Sequence, residues 1–181
     1  KLLLEGNKIT CIDNNFTGSI ENVKDCLDNP NFTFINHNVI EPIQLENISK
    51  IDQIDQIDQI YHLACPASPK AYQSDPLFTL KTNIFGTINL LELAKTHNAR
   101  ILLSSTSEVY GDPKISPQIE EYWGNVNPIG IRSCYDEGKR VAETFMMEYK
   151  NKYDLNVKID LIDFCVGVHF SKFCSIDALK G

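Results

Sequence analysis

Short β-branched and apolar runs recur along this chain, and the longer intervals between the later ones are patterned at helical spacing. Ile9-Thr10-Cys11-Ile12 runs into Asp13, and Phe32 to Ile35, Ile60 to Ala64, Arg100 to Ser104 and Val157 to Ile162 read as four further strands. Pro76 to His97 sets Leu77, Leu80, Ile84, Ile88 and Leu91 on one helical face, and Ser133 to Tyr153 does the same with Val141, Phe145 and Tyr149. Strand, crossover helix and strand in repetition predict an α/β chain whose parallel sheet is covered by helices on both faces. Ligands of such sheets bind at the carboxyl ends of the strands, so the chemistry is sought in the residues just after each strand.

The 181 residues are 43% apolar and 23% charged, enough for one globular domain. No apolar run approaches the roughly 20 residues that span a bilayer and no basic-then-apolar leader opens the chain, so a soluble, cytoplasmic protein without a membrane partner is expected. Seventeen Lys and Arg against 24 Asp and Glu leave a formal charge of −7, which repels a phosphate backbone and argues against nucleic acid as a partner. The six cysteines, at 11, 26, 65, 134, 165 and 174, have no zinc-ligand spacing. They are read as reduced, mostly buried thiols, with a disulfide framework as the alternative, and no metal is expected. Ile51 to Ile60 repeats Ile-Asp-Gln three times before a final Ile, which predicts a surface turn or short helix ahead of the third strand.

Tyr135-Asp136-Glu137-Gly138-Lys139 lies inside the last helical pattern, where Tyr and Lys four apart share one face. An ammonium beside a phenol favours the phenolate, lowering its pKa from about 10 toward the working pH and making the tyrosine a usable base. The same spacing also suits a tyrosine stacked on a lysine stem. Leu103-Ser104-Ser105-Thr106-Ser107-Glu108-Val109-Tyr110-Gly111 adds hydroxyls and a carboxylate at the end of a parallel strand. Singly these are strand-end capping groups; with Tyr135 and Lys139 they bring a donor, a carboxylate and a base to one crevice.

Several segments together resemble one family: Cys11 to Gly18; Tyr61-His62-Leu63-Ala64-Cys65-Pro66-Ala67-Ser68-Pro69; Leu80-Lys81-Thr82-Asn83; Ser105 to Pro113; and Tyr122 to Gly130 leading into Arg132-Ser133-Cys134-Tyr135. From about Leu2 to Lys158 the chain resembles the UDP-glucuronate decarboxylases, or UDP-xylose synthases, of the extended short-chain dehydrogenase/reductases. The resemblance implies a Rossmann domain with tightly bound NAD, UDP-glucuronate as substrate, and a homodimer when intact. The triplet Thr106-Ser107-Glu108 is similar to that of the decarboxylases, whereas nucleotide-glucose 4,6-dehydratases carry Thr-Asp-Glu there and 4-epimerases usually lack the Glu.

The resemblance further implies a redox-neutral reaction. Tyr135 takes the proton of the sugar 4-hydroxyl, Lys139 lowers the tyrosine pKa and holds the nicotinamide ribose, and Thr106 hydrogen-bonds the forming ketone. Ser107 and Glu108 fall at the C5–C6 side. For the cofactor, Asp13 should accept from the adenosine ribose, selecting NAD over a phosphorylated ribose. Asn14, Phe16 and Thr17 share its loop, Leu63 and Ala67 line the nicotinamide side, and Ser104, Tyr135 and Lys139 are further cofactor contacts. Lys81 should meet substrate or cofactor oxygen, and Asn38 and Val39 lie at the adenine, where Asn38 replaces the family's usual Asp and can accept through its amide oxygen.

The family's Gly-x-x-Gly-x-x-Gly turn is not found. Residues 1–164 are expected to form a partial NAD-binding Rossmann domain and 165–181 a divergent tail, with the first strand, the pyrophosphate cradle and the substrate domain outside this chain. Two readings follow: the central part of an NAD-dependent UDP-glucuronate decarboxylase, or a catalytically silent remnant or binding module that kept the fold's middle. Another nucleotide-sugar 4,6-dehydratase or epimerase is the alternative within the same family.

Overall fold

A computed structural model of the chain describes residues 1–43 and 56–161. All five expected strands are present, each adjusted by a residue or two: β1 (Ile9–Asp13), β2 (Phe32–Asn36), β3 (Gln59–His62), β4 (Arg100–Ser105) and β5 (Val157–Leu161). Every pairing is parallel. β1 pairs with β2 from Ile9↔Phe32 to Asp13↔Asn36, and a second sheet runs β3-β4-β5. Among the described residues β1 pairs only with β2, and β3 only with β4.

The described residues hold four α-helices: α1 (Pro69–Ser74), α2 (Pro76–Lys81), α3 (Thr87–His97) and α4 (Ser133–Tyr153). Proline opens both α1 and α2 behind a capping residue: Ser68 accepts from Ala71 N–H, and Asp75 from Phe78 N–H. Asn98 and Asp154, both left-handed, end α3 and α4. The core lies between the three-stranded sheet and α3 and α4: Ile60, Ile101 and Leu103 from the strands meet Leu90, Leu91 and Ala94 of α3 and Ala142 and Met146 of α4. Strand residues alternate, so Tyr61 on the other side of β3 is exposed.

The long helix expected over Pro76 to His97 is interrupted by a π turn, Thr82–Gly86, and of the expected face only Leu91 is fully buried, with Leu80, Ile84 and Ile88 half-buried. Leu77 is 69% exposed, while Thr79, Thr82, Asn83, Gly86 and Thr87 are buried ahead of Leu90, Leu91 and Ala94. An i→i+5 turn widens the helix and shifts its phase, so a 3.6-residue pattern cannot be carried through it. The buried hydroxyls are satisfied locally: Thr79 donates to Tyr72 O (3.1 Å), Thr82 to Phe78 O (2.8 Å) and Thr87 to Asn83 O (2.5 Å). In α4 the fully buried row is Tyr135, Gly138, Lys139, Ala142 and Met146; Phe145 and Tyr149 are only partly buried against the core.

Two further expectations are corrected. Gln59 of the Ile-Asp-Gln repeat joins the expected Ile60 in β3 instead of ending a turn ahead of it; positions 51–55 of the repeat lie outside the described residues. Cys11, Cys26, Cys65 and Cys134 are free thiols but half-buried, and Cys165 and Cys174 lie outside the described residues with the rest of the tail. Among the described residues no helix is long and apolar enough to cross a membrane.

His62 joins β3 to α3. Thr87 spends its hydroxyl proton on Asn83 O, so it accepts from His62 Nε2 at 2.9 Å, and the buried Nδ1 has no partner among the described residues. Complete burial, and secondarily the Lys139 charge, push the imidazole down to about 3, so it is neutral. An unfolded histidine titrates near 6.5, so the folded state is fully favoured above that pH and loses stability as the pH falls toward 3. About 2 kcal/mol should be lost between pH 8 and pH 5. Denaturant unfolding of His62→Gln, which keeps a donor but does not titrate, should lack this part of the pH dependence; an unchanged slope would show that His62 does not carry it.

Candidate active site

Strand β4 ends at Ser105, and the backbone then turns through Thr106 into a short 3-10 turn, Ser107–Tyr110. Thr106 is extended (φ −158°) and its hydroxyl accepts from Glu108 N–H at a long 3.4 Å, so it caps the turn as a strand-end hydroxyl should. Helix α4 fastens this corner from the side. Arg140 donates to Val109 O (2.7 Å) and Trp123 O (3.3 Å), and Ser105 Oγ donates to the Glu143 carboxylate, whose pKa burial raises and that bond opposes.

The four-residue spacing on α4 delivers Tyr135 and Lys139 to the same corner, at 5% and 3% exposure. Tyr135 hydrogen-bonds Thr106 and stacks on Tyr72 of α1, ring centroids 4.9 Å apart and planes within 9°. Lys139 Nζ donates to Ser104 O at 2.7 Å. The expected lowering of the phenol pKa by Lys139 does not hold in this geometry. Burial pushes Tyr135 up to about 12, Cys65 adds to the rise and the Thr106 bond opposes it, while burial lowers Lys139 itself. The ammonium is committed to the strand-end carbonyl, which anchors α4 to β4 one turn from the phenol.

Glu108 forms an ion pair with Arg132, the residue preceding α4, and Ser107 lies between Thr106 and Glu108 in the 3-10 turn. Tyr135, Lys139, Thr106, Ser107, Glu108 and Ser104 thus gather where β4 meets α4.

The other expected contacts lie along neighbouring strand ends. Asp13 closes β1, and its Oδ1 accepts from Asn15 N–H at 2.7 Å, while Oδ2 stands 3.4 Å from where a Cβ on Gly18 would be. Asn14 accepts from Phe16 N–H (3.0 Å), Phe16 packs on Phe78 with centroids 4.5 Å apart, and Thr17 is exposed in the same loop. After β2, Asn38 Oδ1 accepts from Ile40 N–H (3.1 Å), so the acceptor expected for the adenine already has a backbone partner. Val39 is buried, and its carbonyl accepts from Asn89 at 2.8 Å. Leu63 is exposed beyond β3, Ala67 is half-buried, and Lys81 is exposed in the last turn of α2.

Sequence reasoning assigned no role to Tyr72, Asn83, Arg132 or Glu143, all of which build the corner. Asn83 donates to Cys65 Sγ and Thr79 O, both at 3.1 Å, and α4 passes so close that a Cβ on Gly138 would stand 2.8 Å from its Nδ2. The i, i+4 row Thr79, Asn83, Thr87 was the available signal: polar residues at helical spacing beside a buried helix.

Parallel strands ending in Thr-Ser-Glu beside a tyrosine and lysine one helical turn apart define a Rossmann-type fold of the short-chain dehydrogenase/reductase kind. A family model described as GDP-mannose 4,6 dehydratase matches residues 1–164, and the chain belongs to that family. Among curated proteins it is 56% identical over 155 residues to UDP-glucuronic acid decarboxylase 3 of Arabidopsis thaliana, covering 86% of this chain and 42% of the relative. It is 53% identical over 159 residues to UDP-glucuronic acid decarboxylase 1 of Xenopus tropicalis, covering 88% and 35%. Among solved structures it superposes on a UDP-N-acetylglucosamine 4-epimerase from Methanobrevibacter ruminantium (TM-score 0.71, 28% identity, 87% of this chain and 47% of that one). It likewise superposes on a dTDP-glucose 4,6-dehydratase from Bacillus anthracis in complex with NAD (TM-score 0.68, 28% identity, 87% and 47%). The chain spans less than half the length of these curated relatives.

Proposed function

We propose that the protein carrying this chain is an NAD-dependent UDP-glucuronate decarboxylase that yields UDP-xylose. The observation that carries this reading is the Thr106-Ser107-Glu108 turn set against Tyr135 and Lys139, in a chain more than half identical to proteins named as UDP-glucuronic acid decarboxylases. The strand ends suit NAD: Asp13 keeps Oδ2 for a ribose hydroxyl after Oδ1 has been used in its own turn, and Lys139 stands beside Ser104 at the end of β4. When bound, NAD supplies the acceptor and later the donor of the hydride at sugar C4.

The chain's own residues handle protons and position. Burial holds the Tyr135 phenol protonated in this geometry, so it can act as the base only once a positive charge stands beside it, as the nicotinamide of bound NAD would; as phenolate it would receive the proton of the 4-hydroxyl and return it at the end, and Thr106, fixed by its turn, would hydrogen-bond the oxygen as it becomes a ketone. The resulting β-keto acid loses carbon dioxide readily because the electrons left at C5 spread into the C4 carbonyl. Ser107 and Glu108 sit at the carboxylate side and manage protonation at C5. The triplet lacks the Asp that would protonate a departing hydroxyl, and decarboxylation expels none. We further propose that the whole protein is a cytoplasmic homodimer; the exposed apolar Leu77 and Phe85, on the helical stretch ahead of α3, support the dimer.

Product analysis tests the reading. The full-length protein, incubated with UDP-glucuronate and NAD, should yield a UDP-pentose by NMR; a 4-keto-6-deoxy sugar or UDP-galacturonate would reject it. Asp13→Asn should weaken NAD binding by about tenfold and narrow the preference over NADP, because the carboxylate that accepts from ribose hydroxyls also repels a 2′-phosphate. Titration with both cofactors reads this, and unchanged affinities would leave Asp13 as a turn former alone.

A further inference from the structure

Arg132 was in no part of the sequence-based site, yet its guanidinium pairs with the carboxylate of Glu108 across two separate segments. The ion pairs Lys24–Glu21, Lys95–Glu92 and Arg140–Glu137 are, by contrast, i,i+3 contacts within single helical turns. The Arg132 backbone is fixed independently of its side chain, since its carbonyl accepts from Tyr135 N–H (2.9 Å) and Asp136 N–H (3.1 Å) at the start of α4. Both partners of the pair stay accessible, with side-chain exposures of 46% for Arg132 and 36% for Glu108. Arg132 also lies close enough to Asp136 to oppose the rise that burial gives its carboxyl.

This arrangement has an electrostatic consequence. A site that must accept a sugar carboxylate already holds a carboxylate at Glu108, and two like charges in a partly desolvated crevice repel strongly. We propose that Arg132 is a specificity-determining, positioning residue that cancels the charge of Glu108 so that the site admits a uronate instead of only neutral sugars. The inference rests on the decarboxylase reading and deepens it. Arg132 acts through Glu108, and the selection it confers is for the charge at sugar C6.

The test compares two nucleotide sugars that differ by that carboxylate, UDP-glucuronate and UDP-xylose, binding by calorimetry to the full-length protein carrying Tyr135→Phe, in which turnover is too slow to consume the first during a titration. Arg132→Gln should weaken UDP-glucuronate by at least about tenfold and UDP-xylose by less than about twofold, the scale expected for an uncancelled charge in a half-exposed site. Arg132→Lys, which keeps the charge, should recover most of the loss. The double variant Arg132→Gln with Glu108→Gln should bind UDP-glucuronate more tightly than Arg132→Gln alone, because the repelling charge is gone. Asp136→Asn should leave the ratio of the two affinities unchanged. Equal weakening of both ligands, no weakening of either, or a double variant no better than the single would overturn the proposal. Failure of the parent protein to release carbon dioxide would instead count against the decarboxylase reading, so the two failures are told apart.

Discussion

Replacing Tyr135 by Phe should lower turnover by at least about a hundredfold, the usual scale for a positioned acid or base. The side chain is well suited to this substitution. Its ring is buried against Tyr72 at 4.9 Å with nearly parallel planes, a contact that phenylalanine keeps, and its hydroxyl gives up only the bond to Thr106. That bond is worth about 1 kcal/mol, and Thr106 retains the Glu108 N–H as a partner, so the fold should be nearly as stable. Affinity for NAD should persist because Lys139 remains on Ser104 O. Under the proposed function, the proton acceptor for the 4-hydroxyl is what disappears. Single-turnover oxidation of the sugar, followed at the absorbance of the reduced cofactor, should therefore be slow in the variant; a near-parental rate would make Tyr135 a packing residue and nothing more.

Gly111→Ala should be the most destabilising of the substitutions considered, at about 3–5 kcal/mol, or a melting temperature lower by roughly 10 °C. Gly111 has φ +67° and ψ −126°, a region L side chains avoid, and an added Cβ would stand 2.4 Å from Asn125 O and 2.8 Å from Val126 Cα, both backbone atoms. The close approach has a purpose. Asp112 N–H donates to Asn125 O (3.0 Å) and Asn125 N–H to Tyr110 O (2.8 Å), tying residues 112–125 to the end of the Glu108 turn. Gly6, also at positive φ but with open space around it, is the control: Gly6→Ala should cost only about 1 kcal/mol of backbone strain. Thermal unfolding of both variants separates strain from collision, and equal melting temperatures would show that the Gly111 contact is not tight.

The strands and α4 were legible because their signals are local. Five β-branched runs and a 21-residue helix between Ser133 and Tyr153 need no knowledge of partners. The i, i+4 spacing placed Tyr135 and Lys139 together, and strand-end placement brought Thr106 to them. The buried face of the helical stretch from Pro76 was misread because the π turn at Thr82–Gly86 changes the helical phase and because Thr79, Asn83 and Thr87 hide their polar atoms in backbone bonds. The Tyr135 pKa was misread for a related reason. Spacing shows that an ammonium lies one turn away, but not that it is bound to Ser104 O or that desolvation dominates the phenol. Arg132 pairs with Glu108 across 24 residues of sequence, a separation at which no periodicity speaks.

In the proposed reaction NAD takes the hydride from C4, the C6 carboxylate leaves as carbon dioxide, and the same hydride returns to C4. The most direct measurement supplies the full-length protein with UDP-glucuronate labelled with carbon-13 at C6 and follows labelled carbon dioxide, UDP-xylose and reduced cofactor together. One labelled carbon dioxide should appear per UDP-xylose, with no accumulation of reduced cofactor. Label retained in a nucleotide-sugar product, or reduced cofactor building up in step with turnover, would contradict it.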